Sequence, residues 1–165
     1  MNQIKLGKKV RVSDPCYGTE VWCAGTIDNV KEGIYNVEVE YSDEGMWGRR
    51  VKSISVIHKD FNWGTYSVET SDIEVGVDSG QCGIYDEEYY NKYHTVDGVD
   101  DVWYDDVCEA TLSKAQFGIM SNKGVVSSSG FGDGCYNCYI IEDKTGQVVG
   151  ISVVFIEDEE DKEDE

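Results

Sequence analysis

The sequence predicts a mainly β fold: an antiparallel β-sandwich or partly closed barrel with one or two short helices. Three observations lead there. Apolar and polar residues alternate over Ile34–Tyr41, with Tyr35, Val37, Val39 and Tyr41 on one face and Asn36, Glu38 and Glu40 on the other. Further β-branched and aromatic runs recur at short spacing, separated by clusters of Gly, Asp, Asn and Ser. The chain holds 18 Gly and one Pro, and helical periodicity is confined to two short stretches.

Along the chain, Val21–Ile27 reads as a strand, and Ile34–Tyr41 follows between Gly33 and the turn Ser42-Asp43-Glu44-Gly45. Val51–Ile57, Thr65–Thr70 and Ile73–Val77 come next. Asp86 is placed to cap a short helix over Glu87–His94, with Tyr89, Tyr90 and Tyr93 on one side. A second helical turn is expected over Leu112–Gln116, opened by Thr111. Phe117–Met120, Gly124–Ser128, Cys135–Ile141 and Gln147–Ile156 complete the strands, the last two joined by a hairpin at Glu142–Gly146. With no repeat and no linker, residues 1–156 form one β-rich domain and 157–165 an acidic disordered tail.

A chain of 165 residues that is 40% hydrophobic and 12% aromatic can build a sizeable core. Its charge is the unusual feature. Acids number 33 against 14 bases, a net −19; the tail supplies −7 of it from eight acids and Lys162, leaving −12 on the body. Such a field repels phosphate backbones and anionic lipid, so neither nucleic acid nor a membrane is expected as partner. It favours cations and basic protein surfaces. Met1–Lys9 is polar with no apolar run behind it, and no stretch approaches the roughly 20 apolar residues of a membrane helix. A cytoplasmic location is therefore expected, with the six Cys as free thiols.

Three turn-forming segments at strand ends are the candidates for a site, since loops on a rigid sheet are where sites are built. The first offers Ser13, Asp14 and Tyr17, beside Pro15 and Cys16. The second offers Asp78, Ser79 and Gln81. The third offers Ser127, Ser128, Ser129, Phe131, Asp133 and Tyr136. Tight turns also demand Ser, Asp and Gly, so what matters is whether these segments converge. Aromatics near loops (Tyr17, Trp22, Trp47, Trp63, Tyr85, Trp103, Phe131, Tyr136) could stack on a flat ring, although at least half are expected in the core. A nucleotide-like ligand would in addition need local positive charge from Arg49, Arg50 or Lys52.

Val125-Val126-Ser127-Ser128-Ser129-Gly130-Phe131-Gly132-Asp133-Gly134-Cys135-Tyr136, followed by Gly146–Phe155, resembles the end of an uncharacterised family of small bacterial and phage proteins. That family closes on a Gly-Asp-Gly-x-Tyr turn and a hairpin. Ser13-Asp14-Pro15-Cys16-Tyr17, Trp22-Cys23-Ala24-Gly25 and Val77-Asp78-Ser79-Gly80-Gln81 resemble its phage-type members. The chain departs from the pattern at Cys135 and Asn137, where Gly and Pro are expected. The resemblance implies a phage- or mobile-element source, with the host cytoplasm as location, and no established activity.

Other chemistries are less well served. Cys135-x-x-Cys138 has half a zinc-site spacing, which Cys16 or Cys23 could complete, but the segment reads as a strand whose residues three apart face opposite sides. Asp97, Asp100, Asp101, Asp105 and Asp106 lack EF-hand spacing and read as a solvated turn. No Gly-x-Ser-x-Gly elbow or phosphate-binding loop is present, and only His58 and His94 could serve as an imidazole base. The expectation is a non-enzymatic binding protein without a cofactor, taking a small ligand or a host protein at the loop end. Sequestering a nucleotide signal to counter host defence is its most concrete form. Two alternatives stand beside it: an acidic interaction protein or DNA-mimic decoy, and a hydrolase using Asp78 and Asp133, with His94 as a third member.

Overall fold

The computed structural model describes residues 2–157, with backbone alone at residues 71 and 72. In chain order the strands are β1 (Gln3–Leu6), β2 (Val10–Ser13), β3 (Gly25–Ile27), β4 (Gly33–Asp43), β5 (Arg49–His58), β6 (Ser67–Val77) and β7 (Gln81–Asp86). Helices α1 (Glu87–Lys92) and α2 (Asp101–Thr111) follow, then β8 (Phe117–Met120), β9 (Gly124–Ser128), β10 (Gly134–Asp143) and β11 (Val148–Val154). One sheet runs β1-β4-β5-β11-β10-β6 and the other β3-β2-β7-β9-β8. The strand pairs within both are antiparallel. The expected mainly antiparallel β fold, a sandwich or partly closed barrel with one or two short helices, forms as two open sheets with two helices, the second of them longer at 11 residues. No helix among the described residues is long and apolar enough to cross a membrane.

The main core lies between the sheets. Ile54 and Val56 of β5, Cys138 of β10, and Ile151 and Val153 of β11 meet Val10 and Val12 of β2, Cys82 and Ile84 of β7, and Val125 of β9. A second core covers the other side of the five-stranded sheet, where Tyr85 and Val126 pack against Tyr89 and Tyr90 of α1 and Trp103 and Val107 of α2. Three layers result: sheet, sheet, helices. β7 and β2 are consequently buried on both faces. Arg11, cross-strand from Tyr85, lies under the helices with its guanidinium on Glu87 at 2.7 Å and over the Tyr90 ring at 5.0 Å.

Asp86 caps α1 as expected, accepting from the Tyr89 amide at 3.2 Å. The second helix corrects the sequence reading. Leu112–Gln116 is not helical; Thr111 ends a helix that begins at Asp101. Asp100 is its cap rather than part of a solvated turn, and accepts from the Trp103 amide at 2.9 Å. Trp103, Val107 and Thr111 form the buried stripe at four-residue spacing, while Asp105 and Asp106 face water. Thr65–Thr70 and Ile73–Val77 merge into the single strand β6. Val21–Ile27 shortens to β3, because Val21 to Ala24 make a turn closed by Ala24 N donating to Val21 O at 3.4 Å. The hairpin at 142–146 forms between β10 and β11. Of the acidic tail, only Glu157 lies within the described residues.

Candidate functional site

The first loop is built by Asp14 and Pro15. Tyr17 N donates to Asp14 O at 3.2 Å, closing a β-turn with Asp at its first position and Pro at its second. Asp14 Oδ1 accepts from Cys16 N at 2.8 Å, the side-chain turn that Asp favours. The carboxylate then reaches across to the second loop. Its Oδ2 accepts from the amides of Asp78 at 2.9 Å and Ser79 at 2.7 Å, and its Oδ1 from Ser79 Oγ at 2.8 Å. Asp14 is fully buried, so these bonds replace the water its charge has lost. Burial, and then the neighbouring Asp14 carboxylate, push the Cys16 thiol up to about 12.

The third loop joins through its backbone. Ser129 N donates to Gly80 O at 3.0 Å, and Gly132 N to Ser129 O at 2.9 Å. Gly130 sits at φ +61°, and a Cβ there would press on Phe155 and Ile156 at 3.1 Å, so this turn needs glycine. The Tyr136 hydroxyl rests on the Gly132 and Ser129 carbonyls. The three segments therefore converge at one end of the sandwich.

Between them opens a cleft of about 570 Å³, lined by Tyr17, Val21, Trp22, Cys23, Gly76, Val77, Asp78, Asp133, Gly134 and Cys135. The Tyr17 hydroxyl donates to Asp78 Oδ2 at 2.8 Å; burial and then this carboxylate raise the phenol well above its ordinary pKa, so it stays a neutral donor. Trp22 stands at the rim, 92% exposed. Asp78 and Asp133 are the charged groups of the lining, both carboxylates.

Of the twelve candidate residues, Tyr17, Asp78 and Asp133 line this cleft. Ser13, Asp14, Ser127 and Ser129 are buried supports whose side chains bond to the loops themselves. Ser79 belongs with Asp14. Gln81 points under α2, its Nε2 at 3.6 Å from Cys108 Sγ, and Ser128 Oγ turns to Gln116 at 3.3 Å. Phe131 and Tyr136 line a separate groove of about 220 Å³ with Phe155 and Ile156. Arg50 stacks on Phe131 at 5.6 Å and Arg49 on Tyr41 at 4.3 Å, so neither arginine is in the cleft lining, and neither is Lys52. Trp22, Cys23 and Cys135 are lining residues outside those twelve; the sequence offers the two cysteines only as zinc ligands. In the sequence Trp22 stands out as one loop aromatic among eight, of which Tyr17, Tyr85 and Trp103 are buried, and as part of the Trp22–Gly25 motif.

His94 stacks on Tyr90 at 3.6 Å and faces the Pro15 carbonyl at 2.8 Å, and His58 packs on Tyr35; neither lines the cleft. Cys138 is buried while Cys135 is exposed, on opposite faces of β10. Asp78 and Asp133 do share a cleft, the condition set for acid–base work, but without an imidazole beside them.

A two-sheet antiparallel sandwich with one helix-covered face and a loop-built cleft at one end defines the class of protein. The chain belongs to the DUF4241 family, described as proteins of unknown function, whose model matches residues 8–153. No curated protein matches the chain, and no solved structure does.

Proposed function

We propose that this is a non-enzymatic binding protein whose loop-end cleft takes a small ligand bearing a flat ring or a positively charged, donor-rich group. The observation that carries the reading is Trp22, 92% exposed at the rim of a cleft whose charged lining groups are both carboxylates. An uncovered indole attracts rings and cations, the latter by about 0.5–2 kcal/mol. Asp78, held by Tyr17 and fixed by its own amide on Asp14, offers a positioned acceptor. A phosphate would face Asp78 and Asp133 with no cation in the lining, so a nucleotide-like ligand fits through its base or a cationic group rather than its phosphates. A phage-encoded role against a host defence, in the host cytoplasm, is supported by the motif resemblance alone.

The test is a thermal-shift and tryptophan-fluorescence screen using spermidine, agmatine, choline, adenosine and AMP. Agmatine or another cation should quench Trp22 and raise the melting temperature, with AMP weaker than adenosine. Asp78→Asn should weaken cation binding at least tenfold. Silence from every probe, or AMP outperforming adenosine, would overturn the reading.

A second reading, docking of a basic protein, is favoured by the outer face of the six-stranded sheet. There Ser55 and Ser152 pair their hydroxyls at 2.8 Å in the floor of an open groove that also carries Glu40 and Glu69. Capture of a basic partner that survives high salt would count against it.

A further inference from the structure

We propose that Cys23 and Cys135 form a redox-active dithiol site in the cleft, which closes to a disulfide by exchange with a low-molecular-weight disulfide. The placement comes from Gly76. It is the cross-strand partner of Cys135 in the β6–β10 ladder. Its amide, however, donates to Cys23 O at 2.9 Å, away from β10. Gly76 and Cys135 are therefore a non-hydrogen-bonded pair, the closer kind, with Cα atoms about 4.5 Å apart and side-chain positions on one face. Cys23 occupies that face over Gly76: a Cβ on residue 76 would sit 3.0 Å from both Cys23 Cβ and Cys23 Sγ. Glycine at 76 puts no side chain of its own between the two sulfur-bearing residues, and both line the same cleft. A disulfide needs Cβ atoms about 3.5–4.5 Å apart, a separation that closure would set by moving the turn that carries Cys23 toward Cys135.

The other thiols are placed differently. Cys82 and Cys138 are buried in the core, and burial raises both. Cys16 is tied to Asp14 and Ser79, and Cys108 lies on α2 with Gln81 Nε2 at 3.6 Å from its sulfur, outside the cleft lining. Cys135 is the exposed thiol, so it attacks first. Its thiolate displaces one RS⁻ from the disulfide RSSR, giving Cys135–S–SR. The Cys23 thiolate then attacks the Cys135 sulfur and releases the second RS⁻. The two thiol protons end on the two RS⁻ groups, and the two electrons lost by the protein reduce RSSR to 2 RSH. Closure would draw the Cys23 turn over Gly76 and narrow the mouth beside Asp78.

The folded, full-length protein is treated with oxidised glutathione and, separately, with phenylarsine oxide, which bridges neighbouring thiols. Expected are a protein lighter by two hydrogens, a Cys23–Cys135 linkage in the peptide map, and one arsenical bound per chain. Cys23→Ser should stop at one glutathione adduct on Cys135, and Cys135→Ser should take up far less glutathione. A linkage between other cysteines, a stable glutathione adduct on the unmutated protein, or no arsenical bridge would overturn the proposal. None of these readouts depends on a cleft ligand, so failure here is distinct from failure of the binding reading.

Discussion

The two sheets are built to different rules. In the six-stranded sheet one face meets the core and the other meets water, so β4 alternates Tyr35 and Val37 with Asn36 and Glu38. The five-stranded sheet lies between the core and the helices, and β2 and β7 are buried on both faces, including Arg11 and Tyr85. The first can tolerate polar change on its outside. The second holds its charge and hydroxyls in places where each needs a partner. Stability should therefore be concentrated in the helix-covered layer, and that contrast can be broken by experiment.

The largest effect is expected at Trp103, which binds α2 to Tyr89, Tyr90 and Tyr93 and donates its indole N–H to Tyr89 at 2.7 Å. Trp103→Ala should cost about 4 kcal/mol in urea unfolding. Trp22→Ala, at the exposed rim, should leave the midpoint almost unchanged. Equal losses would erase the distinction between layers.

Next comes the Arg11–Glu87 pair. Burial works to raise the Glu87 carboxyl, and the Arg11 guanidinium outweighs it, so the net pKa lies below the ordinary 4.5. Between the folded and unfolded values the unfolded chain binds more protons. This stabilisation is thus present above about pH 4.5 and is lost as the pH falls through the lower, folded value. Glu87→Gln leaves Arg11 buried without its counter-charge and should cost about 3 kcal/mol at neutral pH. It should also flatten the acid limb of the stability curve; an unchanged limb would remove this pair from it.

A smaller effect has the opposite sign. The Tyr85 hydroxyl is fully buried, and no hydrogen-bond partner is found for it among the described residues. Tyr85→Phe should stabilise by about 1 kcal/mol. Ser55→Ala, on the open face of the other sheet, should stay within about 0.5 kcal/mol of zero. Loss of stability in Tyr85→Phe would reveal a partner for the hydroxyl, such as an enclosed water.

This contrast also explains what could be read in advance. Strands of the six-stranded sheet announce themselves by period two, and β4, β5, β10 and β11 lie close to where the pattern put them. β2 and β7 lack alternation because neither of their faces is wet, and β1 is too short to display it. The helix α2 was hidden by its acids: Asp100, Asp101, Asp105 and Asp106 look like a turn until Trp103 and Val107 are seen to share one face. At the site, turn chemistry located all three loops. What it could not separate is a carboxylate that supports from one that faces out. Asp14 and Asp78 each occur as the single Asp of a short turn beside Ser, and only their partners across the fold, 64 residues apart in sequence, give one to the interior and the other to solvent.

Asp14 does its work beneath the surface. Because one hidden carboxylate sets the spacing of two loops, with the Tyr17–Asp78 bond above it, the groups at positions 22 and 133 are not required to hold those two loops in place. Different side chains could occupy those two positions while the frame beneath stayed as it is. A scaffold arranged in this way lends itself to changing what it recognises without relearning how to fold.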